Sequence, residues 1–277
     1  ASFERAVVTD TPPGETPIIF SNEGFLERLL RYSNSGPVER FVIDSIVKMD
    51  RPGKPYTRPY KYRIRKSAME FRRLSLLHPY SQLKVAEFYR EYQGHICHYC
   101  TRSDFSIRYP KRPAAIVYLR PGPAKSEAQN GSGRPVVDAS QYTYFAYGGY
   151  DRLYRFFNSR RFVKLELKFP ALLKMDVSKC FDSIYTHSIA WAVRGKEFSK
   201  SNVSIRAFGN DFDTLMQKSN FNETNGIPIG PEVSRIFAEV IFQKIDTLVY
   251  DKLAESNIVF GAHYEVVRYV DDIFIFG

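Results

Sequence analysis

The chemistry of this chain is expected first at an adjacent pair of acidic residues near its end. Asp271 and Asp272 lie between two short runs of apolar β-formers, within the segment Arg268 to Ile275. Adjacent carboxylates at the tip of a buried hairpin repel each other and lose hydration, so a bound cation, most simply Mg²⁺, would compensate them. The alternative is a solvated Asp-Asp turn in an ordinary β-hairpin. A third carboxylate in a suitable place would favour the metal site.

Asp176 supplies that third carboxylate. It follows the apolar-rich run that starts at Leu172, a pattern typical of a strand. One carboxylate from a strand end and two from a neighbouring hairpin are what two-metal phosphoryl transfer requires, with the ions bridging the attacking and leaving oxygens. The residue types by themselves support these three carboxylates and no further ligand.

Four segments resemble motifs of the reverse transcriptase family, in the family's order. Asp176 to Phe181 resembles motif A, Asn225 to Pro231 resembles motif B, and Tyr269 to Asp272 resembles motif C. Phe71 to Pro79 is similar to the fingers motif, in which an arginine contacts the incoming triphosphate. The resemblance covers about residues 60 to 277, and it looks most like the bacterial defence-associated, or abortive-infection, reverse transcriptases.

The resemblance implies a role for each residue that matches a motif. Asp176 and Asp271 would bind two Mg²⁺ ions, with Mn²⁺ as the alternative metal, Asp272 would support them, and the backbone carbonyl of Val177 would add a ligand. Phe181 occupies the place of the aromatic steric gate that rejects a ribose 2′-hydroxyl, which implies deoxynucleotide substrates. The alternative for Phe181 is a core aromatic at the start of a helix.

The resemblance implies further contacts to the dNTP from the fingers motif and from motif B. Arg72 fits the fingers motif better than Arg73 does, and a fixed guanidinium there would pair with triphosphate oxygens. The other implied dNTP-binding residues belong to motif B and have little side chain to obstruct a nucleobase: Gly226, Pro228 and Gly230. The alternative for these three is a loop that simply caps the helix beginning near Pro231.

The segment His95 to Cys100 contains a Cys-x-x-Cys pair and two histidines, which raises the question of a zinc site. A structural zinc site normally closes with a second ligand pair at similar spacing, and the third cysteine, Cys180, lies inside motif A. We therefore do not predict zinc.

Hydrophobic patterning predicts the elements that must position these residues. Helices are predicted over Phe20 to Tyr32, Ser81 to Tyr99 and Val233 to Asp251, and strands over Tyr60 to Arg65 and Phe71 to Leu77. A strand-like run is predicted from Leu165 to Val177, and a strand, turn and strand from Tyr264 to Phe276. Arg120 to Pro135 has the composition of a loop.

Composition favours a polyanionic partner. The 277 residues carry a formal net charge of +10, with 19 Tyr and 22 Phe often beside Arg or Lys. Such interleaving suits base stacking and phosphate contacts, although charge alone does not separate nucleic acid from an anionic membrane surface. Three cysteines, no apolar leader and no run long enough to span a bilayer predict a soluble protein of a reducing cytoplasm that binds no membrane. The family resemblance implies that this cytoplasm is bacterial.

We expect an α+β right-hand polymerase: an N-terminal extension over residues 1–60, fingers over 61–165, and a palm over 166–277 with an antiparallel catalytic sheet. The 277 residues hold no thumb, so we expect this stretch alone to be an incomplete polymerase. Either it is a fragment of a longer protein, or a homo-oligomer or a partner protein supplies the missing parts.

The expected function is dNTP addition to a 3′-hydroxyl on a nucleic acid template or primer, in antiphage defence. Two alternatives stay open. One is untemplated or protein-primed DNA synthesis by the same site, and the other is a non-catalytic nucleic-acid-binding or assembly module that keeps a polymerase fold.

Overall fold

The computed structural model describes residues 3–17, 20–34, 36–47, 56–114, 143–197 and 206–277, which form an α+β chain with small antiparallel sheets. The α-helices are α1 (Ala6–Thr9), α2 (Glu23–Leu30), α3 (Pro37–Val47), α4 (Pro79–Tyr99), α5 (Leu153–Phe157), α6 (Arg160–Lys168), α7 (Cys180–Ser183), α8 (Ser188–Arg194), α9 (Phe208–Ser219) and α10 (Glu232–Glu255). The strands are β1 (Tyr60–Arg65), β2 (Phe71–Leu76), β3 (Arg108–Pro113), β4 (Phe145–Gly149), β5 (Leu172–Asp176), β6 (Glu265–Tyr269) and β7 (Asp272–Phe276). Single 3₁₀ turns cover Phe3–Arg5 and Tyr32–Asn34.

The strands form three antiparallel sheets. β1 pairs with β2, β3 pairs with β4, and a three-stranded sheet has the order β5, β7, β6. The last sheet places the strand that carries Asp176 beside the hairpin that carries Asp271 and Asp272, although about a hundred residues separate them in sequence.

Most of the predicted elements are confirmed. The β1–β2 hairpin, the helix from Pro79, the helix from Glu232 and the hairpin near the end all form within a few residues of the predicted bounds. The predicted helix over Phe20 to Tyr32 is present as the shorter α2. The predicted loop from Arg120 to Pro135 lies outside the described residues.

The strand predicted from Leu165 is wrong at its start, because α6 runs to Lys168 and β5 begins only at Leu172. The Ser159 side chain caps α6 by accepting a hydrogen bond from the Phe162 N–H at 3.3 Å. Pro170 then disfavours a helical conformation at Phe169, which is extended. The apolar residues of α6 therefore belong to an amphipathic helix.

The main core joins the long helices to the beginning of the chain. Ala6 and Val7 of α1 are fully buried in the same cluster as Tyr89 of α4, Phe212 of α9 and Phe237 of α10. Residues 3–17, which the sequence set apart as an extension, therefore pack into the body that carries the motifs.

A second cluster packs against the β6–β7 hairpin. Phe274 and Phe276 of β7 and Val267 of β6 pack against Phe156 of α5 and Leu165 of α6, all nearly inaccessible to solvent. This packing buries Val267, Phe274 and Phe276 of β6 and β7, whereas every residue of β5 is exposed.

Helix α10 buries an unexpected set of residues. Ile236 and Val240 are in the core, but Ile245 and Leu248 of the same predicted apolar stripe are 45% and 53% exposed. Three polar side chains at spacings of four and three are buried in their place: Glu239, Gln243 and Asp246. The second half of α10 therefore turns a polar row, and not its apolar stripe, toward the protein.

Candidate active site

Strand register brings the three predicted carboxylates together. Asp176, the last residue of β5, lies directly opposite Asp272, the first residue of β7. Asp272 is also opposite Tyr269 of β6, so Val270 and Asp271 form the two-residue turn between β6 and β7. Opposed residues in an antiparallel pair have Cβ atoms roughly 5 Å apart. The site is thus assembled by backbone pairing.

The turn itself is strained at Val270. This residue has φ +59°, a left-handed conformation that is an outlier for a β-branched side chain and costs on the order of 1–3 kcal/mol. On the other side of the turn, the Val177 N–H donates to the carbonyl of Asp271 at 3.3 Å. The conformation of Asp271 is therefore set by its backbone neighbours.

The Asp271 carboxyl has a raised pKa. Burial is the largest cause, its own backbone N–H acts in the opposite direction, and the carboxylates of Asp176 and Asp272 raise the pKa further. In the described part of the chain no ion pair engages Asp176 or Asp271, whereas the Lys174 Nζ lies 3.9 Å from an oxygen of Asp272. The site has excess negative charge, which a cation would relieve.

These residues fit Mg²⁺ in donor chemistry. Mg²⁺ takes oxygen ligands, keeps several waters, and is commonly held by one or two carboxylates together with substrate phosphates. As they stand in the described residues, no three His, Cys, Asp or Glu side chains are grouped closely enough to hold one ion together. A site of two carboxylates plus the Val177 carbonyl would not require such a group of three.

Phe181 lies one turn beyond the strand that carries Asp176. It is half-buried and packs beside Cys180, Ile184 and Phe242, where it joins the main core to a small cluster next to the carboxylates. Burial, and then the charges of Asp271 and Asp176, raise the pKa of the Cys180 thiol to about 12. Cys180 is therefore an uncharged packing residue, while Phe181 keeps part of its ring accessible.

The motif B loop is tied to motif A through its backbone. The Gly226 N–H donates to the Ile184 carbonyl and the Ile227 N–H donates to the Phe181 carbonyl, both at 2.9 Å. Pro228 and Gly230 that follow are buried. The backbone of Phe181 and the predicted nucleotide loop therefore form one unit.

Backbone conformation and packing inside the protein also account for the two glycines of motif B. Gly226 has φ +83°, and a Cβ there would lie 3.0 Å from the Asp182 carbonyl oxygen. Gly230 has φ +117°, and its Cβ would lie 2.8 Å from ring atoms of Pro13. At both positions, other protein atoms thus occupy the space that a Cβ would need.

The β1–β2 hairpin approaches the same loop. The Ser75 N–H of β2 donates to the Ile229 carbonyl at 2.8 Å. Arg72, three residues earlier, has an exposed side chain, and its charge lowers the pKa of Asp271. The structure therefore brings the predicted triphosphate-binding arginine within electrostatic range of the carboxylates.

The two cysteines of the His95 to Cys100 segment are free thiols. Cys100 is fully buried in the main core, and burial raises the pKa of both thiols, that of Cys97 to about 11. Such thiols are protonated at neutral pH, whereas a metal ligand must be a thiolate.

Two buried polar groups beside the site escaped the sequence reasoning. Arg268, directly before motif C, is 1% exposed and pairs with Glu239 and Asp246 of α10. The sequence signal that could have found this group is the recurrence of Glu239, Gln243 and Asp246 at helical spacing on one face of α10.

The second group is Asp10, whose backbone carbonyl accepts the Val233 N–H at 3.2 Å, just after motif B. Its Oδ1 accepts the Tyr144 N–H at 2.9 Å, and Oδ2 has no hydrogen-bond partner in the described residues. Burial, and then the charge of Glu232, raise the pKa of Asp10 to about 7. No motif marked this residue.

In the described parts of the chain no helix is long and apolar enough to cross a bilayer. No protein-family model matches this chain, and no curated protein aligns with it significantly.

Proposed function

We propose that this protein is a nucleotidyltransferase of the reverse-transcriptase type, which adds dNTPs to a 3′-hydroxyl by two-metal phosphoryl transfer. The observation that carries the proposal is the register that sets Asp176 opposite Asp272, with Asp271 in the adjoining turn. Under this proposal β1 and β2 belong to the fingers of a right-hand polymerase and the β5–β7–β6 sheet belongs to the palm. A role in bacterial antiphage defence is supported by the motif resemblance alone.

The carboxylates would act as fixed oxygen ligands. Two bound Mg²⁺ ions supply charge stabilisation to the attacking and leaving oxygens of an in-line displacement. Asp176 and Asp271 would hold the ions and Asp272 would add negative charge beside them. Because Asp271 loses hydration and faces two other carboxylates, its charged form is favoured once cations are near.

The nucleotide would lie between the fingers and this sheet. The exposed guanidinium of Arg72 would pair with triphosphate oxygens, and its position within range of Asp271 supports that role. The accessible part of the Phe181 ring would meet the sugar where a 2′-hydroxyl would project. The hydrogen bond from the Ile227 N–H to the Phe181 carbonyl would keep the motif B backbone at a constant distance from Phe181.

A second candidate is the non-catalytic nucleic-acid-binding or assembly module. One observation favours it: no three metal-ligating side chains converge in the described residues. The strained Val270 turn and the neighbouring like charges of Asp176, Asp271 and Asp272 argue against it, because a binding module has no use for either.

The test is incorporation of labelled dNTP by the purified full-length protein with Mg²⁺, with and without added template and primer. The Asp271→Asn/Asp272→Asn variant should lose incorporation while it keeps its circular dichroism spectrum and melting transition. A matched control is Asp251→Asn, which changes an exposed carboxylate in the last turns of α10 and should incorporate normally.

Dependence on an added template would separate templated synthesis from untemplated or protein-primed synthesis. Wild-type protein that is folded, binds nucleic acid and incorporates nothing under any of these conditions would refute the enzyme and support the binding module.

A further inference from the structure

Arg268 uses every one of its five N–H groups within the protein. The Nε–H donates to the Asp246 carboxylate at 3.0–3.1 Å, and the two Nη2 hydrogens serve Glu239 at 3.0 Å and Asp246 at 2.7 Å. Nη1 donates to Glu239 at 2.7 Å and to the carbonyl of Val270 at 3.1 Å. Four donors therefore face the carboxylates of α10, and the fifth reaches the turn that carries Asp271.

This group is anchored on both sides. Gln243 donates to Glu239 at 2.8 Å and accepts the backbone N–H groups of Arg102 and Ser103 at 2.8 and 2.6 Å. The backbone N–H of Arg268 donates a hydrogen bond to the carbonyl of Phe105, in the segment before β3, at 2.7 Å. The guanidinium is thus held in one orientation by fixed partners.

The bond to Val270 controls a specific peptide plane. The Val270 carbonyl and the Asp271 N–H share one planar peptide, so a donor that fixes the carbonyl also fixes the N–H. The following peptide is fixed by the Val177 N–H on the Asp271 carbonyl. Both peptides that flank Asp271 are therefore held by hydrogen bonds, one from Arg268 and one from motif A.

The need for such a restraint follows from the residue at the turn. Val270 occupies a left-handed conformation that a β-branched residue avoids, so the turn would relax if nothing opposed it. A lysine at position 268 has three donors at one point in place of a planar fork, and it cannot serve two carboxylates and the carbonyl in the same geometry.

We infer that Arg268 is a positioning residue that holds the Val270–Asp271 peptide in its left-handed turn and so aims the Asp271 carboxylate at Asp176. The consequence for catalysis rests on the proposed function, whereas the restraint on the turn does not.

Two variants test the restraint. Arg268→Lys keeps the positive charge and loses the planar set of guanidinium donors. Arg268→Met/Glu239→Gln/Asp246→Asn removes the cation together with both anions, so it leaves no unpaired buried charge, and it should fold even where the lysine variant does not. Each is also made with Val270→Gly, because glycine adopts the left-handed conformation without strain.

The first readout is hydrogen–deuterium exchange of the peptide spanning residues 269–272. Uptake should rise in both variants, relative to wild type, while exchange of α4 and α9 stays unchanged. The second readout is single-nucleotide incorporation: kcat should fall by about 10²-fold, as expected when a reacting group is misplaced by roughly 1 Å, with little change in KM for dNTP. Adding Val270→Gly to either Arg268 variant should restore at least a tenth of the kcat that the variant lost relative to wild type.

Unchanged exchange at residues 269–272 in a folded variant overturns the inference, and so does a lost kcat that Val270→Gly leaves where it was. A wild-type protein without incorporation refutes the proposed function instead, and the exchange measurement then still decides whether Arg268 restrains the turn.

Discussion

Asp176 and Asp272 are a directly opposed pair of like charges on neighbouring strands. Like charges at opposed positions destabilise an antiparallel pair, and only Lys174, at 3.9 Å from Asp272, offsets them among the described ion pairs. The repulsion extends to Asp271, whose carboxyl pKa is raised by burial and by both neighbours. A fold that keeps three acids in this position gains from them elsewhere, which is the physical basis for predicting a cation-dependent reaction here.

Arg72→Ala should weaken dNTP use with little effect on folding. Loss of hydrogen bonds from a charged donor to phosphate is worth about 1.5–3 kcal/mol, or roughly 10- to 100-fold in KM. Arg73→Ala is the matched control, since neighbouring strand residues point to opposite faces. Steady-state incorporation at varied dNTP concentration measures both, and equal effects of the two variants would contradict the assignment of Arg72.

Phe181→Ala should relax sugar discrimination, raising the ratio of rNTP to dNTP incorporation. Because Phe181 also packs between two clusters, some stability is lost, within the roughly 3–5 kcal/mol that truncation of a fully buried Phe costs. Phe242→Ala removes a ring from the smaller of these clusters and should leave the ratio unchanged. An unaltered ratio in a folded Phe181→Ala protein would show that this ring serves packing alone.

Gly226→Ala and Gly230→Ala should destabilise the protein more than Gly261→Ala does. All three glycines have positive φ, and Gly261 has open space where a Cβ would be, so it reports only the left-handed penalty of roughly 1–2 kcal/mol. At the other two positions the Cβ also meets the Asp182 carbonyl or Pro13, and overpacking adds about 1–3 kcal/mol. Urea unfolding measures the difference, and equal losses at all three positions would contradict the close packing.

Asp10→Asn should stabilise the protein at high pH and have little effect near pH 4. Since the folded-state pKa of Asp10 is raised to about 7 from 3.8, the protonated form is favoured by folding. Its stabilising effect is complete below pH 4 and is lost as pH rises through 7. At about 1.4 kcal/mol per pKa unit, the advantage of the Asn variant should reach a few kcal/mol by pH 8.

The Asn side chain keeps an oxygen for the Tyr144 N–H, and the substitution removes the charge while an amide nitrogen takes the place of Oδ2, which has no hydrogen-bond partner in the described residues. Thermal melting of the two proteins from pH 4 to 8 gives the comparison. Parallel curves, with a constant difference in melting temperature, would show that Asp10 does not titrate in this range.

The sequence by itself determined the local elements and the identity of the acids. Alternation in β1, helical spacing in α4 and α10, and apolar runs around Asp271 were sufficient to locate these elements. In the second half of α10 the spacing gave the helix but not its buried face, because Ile245 and Leu248 are exposed. Sequence patterning failed between Leu165 and Leu172, where an apolar run continued through the end of α6, which only Pro170 marked.

Tertiary structure alone decided what those residues meet. The register that opposes Asp176 to Asp272, the Pro13 ring against Gly230, and the burial of Arg268 with Glu239 and Asp246 all join segments far apart in the chain. A periodic pattern shows that a face is covered and does not show by what. The spacing in α10 therefore did not show that its polar residues are buried, and the guanidinium that pairs with them and reaches the turn at Val270 appears only when the chain is folded.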